Sequence, residues 1–252
     1  MLIDTHCHID RFHDPARLAR KCESDRLMTI AVTNVPSHFQ LAQSHLMGMS
    51  YVKPALGLHP LAVSRSHKEL PLFLRLLPDA QFIGEIGLDH SREGIPTSDI
   101  QVRVFSTIIE ALVDTTKYVT LHSRGAAKDV LQILKKFEFR NAVFHWYSDG
   151  LKTLDEAIEW GCLFSINTSM INSRKGSEVI SRLPKDRILT ETDGPYVTIE
   201  RRPAEPSDVQ MVVNYLAKAW NVSPFEAENQ VERNFNRLRT IPELPERSDD
   251  SF

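Results

Sequence analysis

The 252-residue sequence predicts a single domain with a TIM (β/α)8 barrel fold, and three observations carry the prediction. Short apolar, β-branched runs alternate about eight times with stretches of helical period, and the connections are brief. That is the pattern of parallel strands joined by right-handed crossovers. The length matches the roughly 250 residues one such barrel takes. Finally, residues able to hold metal ions recur at the predicted C-terminal ends of strands, the face on which these barrels build their sites. An open doubly wound sheet is the second-best architecture. No glycine-rich phosphate loop follows the first strand, which counts against a dinucleotide-binding version of it.

The first strand is carried by IDTHCHID, Ile3 to Asp10. Side chains alternate along a strand, so Asp4, His6 and His8 share one face and Thr5 and Cys7 the other. Pro15 to Asp25 reads as a helix, with Asp14 as N-cap and Pro15 at its first position. Leu27 to Val35 is a buried strand by its continuous apolar run, and Ser37 to Met47 is helical. Tyr51 to His59 forms a third strand that must turn at Pro60, which cannot continue a ladder. A helix is expected over His67 to Leu77, then a fourth strand over Gln81 to Ile86 that leads into Gly87-Leu88-Asp89. A polar loop, His90 to Ser98, precedes a helix over Asp99 to Thr115. Tyr118 to His122, Asn141 to His145, Cys162 to Asn167 and Arg187 to Thr192 complete the eight strands. Helices are expected over Ala126 to Phe137, Leu151 to Trp160 with Gly161 as cap, and Ser177 to Leu183. Two more, Ser207 to Trp220 and Pro224 to Arg239, follow the last strand. The domain is expected to span 1–240, with 241–252 as a polar, flexible C-terminal tail.

Composition narrows the classes. Hydrophobic content of 42% and charged content of 25% are ordinary for a soluble globular protein. A net charge of -3 gives no global attraction to nucleic acid or anionic membrane, so any phosphate-binding surface must be local. Three widely spaced cysteines without a C-x-x-C pair, no N-terminal signal and no membrane-length apolar run lead to the expectation of a cytoplasmic protein.

His6, His8, Glu85, His122, His145 and Asp193 all fall at strand ends. Four imidazoles and two carboxylates without a thiolate suit Zn²⁺, Mn²⁺ or Mg²⁺. Six ligands exceed one open catalytic ion and fit two divalent ions sharing a bridge, for which Glu85 is central in strand order. Such a pair clamps both the attacking and the leaving oxygen of a phosphoryl displacement. Asp193 could also orient or deprotonate the water. His59 reads as a contact to substrate phosphate or as a strand cap, and Arg124 as a bidentate phosphate ligand or a surface arginine. Glu191 reads as a support behind the ligands or as a partner for a cation in the barrel interior, and Asp4 as a support rather than a direct ligand. Trp146, Tyr147 and Tyr196 read as base-stacking or packing residues. Arg92, Arg174, Lys175, Arg201 and Arg202 read as a basic rim or a solvated face.

IDTHCHID, GLHP, GEIGLD, LHSR, ETDGPY and, near Asn234, NFNRLR together resemble the TatD family of metal-dependent deoxyribonucleases, a group of amidohydrolase-like TIM barrels. The resemblance runs from Met1 to about Arg239. It implies one metal at His6, His8, Glu85 and Asp193, another at Glu85, His122 and His145, and hydrolysis of DNA phosphodiesters, often from the 3′ end. The loop after Asp89, the HWYSDG segment and RRPAEPSDV depart from the family pattern. With ALGLHP, ELPLF, GCLFSI and LTETDGPY, they resemble the QatD branch, the TatD-like component of the bacterial Qat anti-phage system. That likeness implies a defence role beside QatA, QatB and QatC. Two other readings stand beside it: an amide or ester hydrolase such as a D-aminoacyl-tRNA deacylase, and a scaffold subunit of a defence complex. The stretch Gln81 to His90 holds no lysine of the kind that many two-metal amidohydrolases carbamylate, which favours phosphoester work.

Overall fold

The computed structural model describes residues 1–239, and the 241–252 segment read as a tail lies outside the described residues. Eight parallel strands form one sheet in sequence order: β1 (Ile3–Cys7), β2 (Met28–Val32), β3 (Val52–Leu56), β4 (Phe82–Gly87), β5 (Tyr118–His122), β6 (Ala142–His145), β7 (Leu163–Ile166) and β8 (Ile188–Thr190). Nearly every residue in these strands is buried, as helices on the outer face and side chains inside the barrel require. Most strands are shorter than the apolar runs that predict them. Leu27, Val35 and Leu58 are buried beyond the ladder ends, so burial continues into loops where pairing stops.

The sheet nearly closes. No ladder joins β8 to β1, and the seam is bridged by side chains and by backbone bonds beyond the strand ends. The Thr5 hydroxyl donates to Thr190 O and the Thr190 hydroxyl to Ile3 O. Asp4 accepts from the Thr192 N–H at 2.9 Å and from the Thr192 hydroxyl. Above them Asp193 N–H donates to His6 O at 2.9 Å, and His8 N–H to Gly194 O at 2.8 Å.

The helices follow their local signals. Helix α1 (Pro15–Ser24) starts where Asp14 accepts the Arg17 N–H at 2.9 Å, and α2 (Pro36–His45) opens on a proline. The single helix expected over His67 to Leu77 is instead α3 (Val63–Ser66), a 3₁₀ turn and α4 (Leu70–Leu76). Pro71 is the cause: lacking an N–H, it belongs in a first helical turn and starts a new helix there. Helix α5 (Ser98–Leu112), α6 (Ala127–Lys136) and α7 (Leu151–Trp160) match expectation, and Gly161 ends α7 in the left-handed region at φ 102°. Two helices stand where one was expected: α8 (Thr168–Ile171), capped by Asn167, and α9 (Arg174–Arg182), capped by Ser173. A two-residue hairpin, β9 (Thr198–Ile199) with β10 (Arg202–Pro203), was not foreseen. Its turn places Glu200 and Arg201 at positive φ without a glycine to announce it.

Helices α10 (Val209–Trp220) and α11 (Pro224–Arg239) complete the described residues. Helix α11 supplies a floor opposite the site. Phe235 is fully buried, with its ring 6.3 Å from that of Phe82 and 6.1 Å from that of Tyr118, inside a cluster with Ile3, Ile30 and Val143. Asn234 donates to Lys185 O and Ile188 O, which fixes the helix to the start of β8.

Candidate metal centre

Glu85 is the centre of the site, and the local chain explains how it gets there. In β4 the pairing with β5 slips between Ile83 and Ile86, with Gly84 at φ 150°, so the strand bulges at Glu85. The bulged backbone bonds elsewhere: Glu85 N–H donates to Thr33 O at 3.1 Å, and Leu58 N–H to Glu85 O at 3.1 Å. Three segments meet there because residue 57 is glycine. A Cβ at Gly57 would lie 1.6 Å from Thr33 O and 2.7 Å from Glu85 N.

The two carboxylate oxygens of Glu85 serve different sets of imidazoles. Oε2 lies 3.5 Å from His6 Nε2 and 3.2 Å from His8 Nε2. Asp193 Oδ1 joins this set, 3.8 Å from His6 Nε2 and 3.7 Å from His8 Nε2. Oε1 lies 2.6 Å from His122 Nδ1, 2.9 Å from His145 Nε2 and 3.3 Å from His59 Nε2. All six residues expected as metal ligands therefore converge, and His59, expected near substrate, reaches the same carboxylate.

The donor set fits a cation. Ligands about 2.1 Å from a tetrahedral ion lie roughly 3.4 Å from one another, and the spacings around Oε2 run from 3.2 to 3.8 Å. His6 Nε2 is buried and makes no hydrogen bond, which is costly for a ring nitrogen unless an ion takes its lone pair. Its other nitrogen, Nδ1, is engaged by the Thr120 hydroxyl at 2.9 Å. Ligating atoms of His6, His8 and Asp193, of His6, Glu85 and His145, and of His59, Glu85 and His122 cluster closely enough for each group to hold an ion.

Electrostatics agree with the geometry. Burial pushes the Asp193 carboxyl up to about 7, so its negative charge lacks a sufficient partner within the protein. Burial acts on Glu85 in the same direction, but the charges of His59 and His145 and the His122 hydrogen bond outweigh it and hold Glu85 well below the carboxylate range. Burial, reinforced by His145, drives His6 well down. His145 is held well up against burial by Glu85 and Glu191.

The supporting residues separate into those that meet the rings and those that meet the backbone. Glu191 faces His145 Nδ1 at 3.6 Å and is itself held by the Trp146 N–H, Asn167 and Ser165. Asp4 touches no ring; it accepts from the His6 and Thr192 N–H groups and so positions the ligand strands. Two partners were missed by sequence reasoning. Thr120 precedes His122 by two in β5, an alternation that would have revealed it. Asp89 ends the GEIGLD motif, and its Oδ2 lies 2.7 Å from His122 Nε2.

Of the candidate ligands, His8, Glu85, His122, His145 and Asp193 form the floor of an open cleft of about 910 Å³, with His6 buried beneath it. Arg124 lines it with its guanidinium unpaired among the described residues, and Trp146 and Tyr196 line it as well. Tyr147 does not: it is buried, its hydroxyl donating to Gly150 O at 2.7 Å, and serves packing. Arg92, Arg174, Lys175, Arg201 and Arg202 are all exposed and none lines the cleft, which agrees with the solvated-face reading, and Arg202 pairs with Asp208. The cleft arginines are Arg11, Arg65 and Arg124.

Comparison with known proteins agrees with this geometry. A family model described as TatD related DNase matches residues 3–239. The chain is 26% identical over 255 residues to the uncharacterized metal-dependent hydrolase YabD of Bacillus subtilis, covering 96% of this chain and all of that one. It is 25% identical over 264 residues to the human deoxyribonuclease TATDN3, covering 96% and 95%. The crystal structure of the TatD homolog YjjV from Escherichia coli superposes with a TM-score of 0.83 at 23% identity, covering 96% of this chain and 98% of that one, a likeness of fold.

Proposed function

The chain belongs to the TatD related DNase family of metal-dependent hydrolases, and from that premise we propose that it cleaves DNA phosphodiester bonds with two divalent cations, which Glu85 and the imidazoles on either side of it would hold. One observation carries the two-cation reading: the Oε2 and Oε1 atoms of a single carboxylate face separate imidazole sets, His6 with His8 and His122 with His145. Asp193 completes the first set. Zn²⁺, Mn²⁺ and Mg²⁺ all suit the donors, the imidazole-rich composition favouring the first two.

When bound, the cations supply Lewis-acid activation of water and of the phosphoryl group. The chain's residues do the rest. Asp193, at the cleft floor, accepts the proton that the attacking water gives up. His59 Nδ1 accepts the Leu61 N–H at 3.1 Å, which leaves the proton of the neutral ring on Nε2. That N–H faces Glu85 Oε1 at 3.3 Å, so a phosphoryl oxygen at the floor would take it in competition with that carboxylate. Arg124 stands at the wall to take a second phosphoryl oxygen, and Trp146 and Tyr196 offer faces to the flanking bases.

The assay is nucleotide release from single-stranded DNA. Glu85→Ala and His122→Ala are expected to lower it roughly 10²-fold or more, because metal-centred charge stabilisation is worth several kcal/mol, with circular dichroism unchanged. Persistence of activity in both variants would reject the assignment. Release of amino acid from charged tRNA, with DNA untouched, would establish the ester-hydrolase reading instead. The departures HWYSDG and RRPAEPSDV, with ALGLHP, ELPLF, GCLFSI and LTETDGPY, support a place in QatD-type anti-phage defence with QatA, QatB and QatC as partners, and the three free cysteines support a cytoplasmic location. Phage plating with Glu85→Ala separates catalysis from scaffolding: full protection by that variant would mean that assembly alone suffices.

A further inference from the structure

We infer that Asp89 is a positioning residue that commits His122 to ligation through Nδ1 and so sets the cation affinity on the Oε1 side of Glu85. The inference rests on the two-cation reading of the site.

The His122 ring stands between two carboxylates. Its Nδ1 is 2.6 Å from Glu85 Oε1, and its Nε2 is 2.7 Å from Asp89 Oδ2. Both carboxylates accept: Asp89 holds a proton on Nε2, and Nδ1, which gives its proton to Glu85 Oε1 in the metal-free protein, is the nitrogen that would offer a lone pair when a cation takes that proton's place. No other imidazole of the site has so close a carboxylate behind it. His6 Nδ1 meets a hydroxyl, His145 Nδ1 lies 3.6 Å from Glu191, and His8 Nδ1 has no hydrogen-bond partner. Asp89 itself lies on the far edge of the ring from Glu85, fully buried.

Asp89 is built into place. Its Oδ1 accepts the Ser91 N–H at 2.7 Å, and its own N–H donates to Gln101 Oε1 at 2.8 Å. Gln101 in turn donates to Gly94 O, which ties the loop back onto α5. The loop comes this close because residue 94 has no side chain: a Cβ there would lie 2.1 Å from Asp89 O and 2.7 Å from Asp89 Oδ1. The loop's geometry therefore transmits to a ligand ring it does not touch.

The test titrates metal-free protein with Zn²⁺ against a competing chelator. The wild type is expected to bind two ions, and Asp89→Ala to weaken one of them about 10- to 100-fold while sparing the other. Asp89→Asn should lose less, since its amide oxygen can accept the same proton. Gly94→Ala, which leaves the carboxylate chemically intact but displaces it, should weaken the same ion. Unchanged affinity in Asp89→Ala overturns the inference. So does equal weakening of both ions accompanied by a fall in the metal-free melting temperature, which would mark Asp89 as a fold residue. A wild type that binds a single ion instead removes the two-cation reading. In that case Asp89→Ala must still weaken the ion, or the inference falls separately.

Discussion

Asp193 shows how one buried residue makes metal binding pH-dependent. Its carboxyl, pushed up to about 7 by burial, must be ionised to ligate. His122 and His145, both raised by their carboxylate neighbours, must likewise surrender a proton at the ligating nitrogen. Protons compete with the ion for Asp193 below about 7, and the raised His122 and His145 carry the competition to higher pH. In the metal-free protein the sign is opposite. Between the ordinary carboxylate range and about 7, folded Asp193 keeps a proton that the unfolded chain has released, so this group's contribution to stability falls as pH rises. The gain in melting temperature on adding Zn²⁺ should accordingly be larger at pH 8 than at pH 6. Equal gains at both would contradict this account. The convergence of the six candidate ligands was legible because strand alternation and strand ends are local patterns. Asp89 was not, because its contact with His122 spans 33 residues and depends on a loop turn that Gly94 permits.

Among the elements, the strand 8 to strand 1 seam and the closing helix carry the most consequence. Thr192 holds Asp4 through both its N–H and its hydroxyl. Thr192→Val keeps the shape and removes the hydroxyl donor from a fully buried carboxylate, at a cost of about 1–3 kcal/mol. Urea unfolding measures that loss, and because Asp193 is the next residue, cation affinity should fall with it. Phe235 fills the floor opposite the site, so Phe235→Ala should cost about 3–5 kcal/mol, with little change in cation affinity in whatever fraction stays folded. The eight strands were readable from their apolar runs, and the closing helix from its period. The break between α3 and α4, and the strand 9–10 hairpin, were harder to read. The first follows from a proline inside an otherwise helical pattern. The second turns through Glu200 and Arg201, residue types that do not advertise positive φ.

At the scale of the whole molecule, the barrel draws its ligands from strands spread over nearly the full described chain, which composition and net charge did not indicate. Among the described residues no helix is long and apolar enough to cross a membrane. The first and last strands share no ladder, yet His6, His8 and Asp193 face one another across their junction. An ion held there acts as a clasp on a ring 187 residues around, between positions 6 and 193. Because such an ion would bind the folded chain and not the unfolded one, releasing it removes that stabilisation. Stripping metal with a chelator should therefore speed global unfolding and open the N-terminal segment to proteases. Protease resistance that ignores the chelator would show that the junction holds without its clasp.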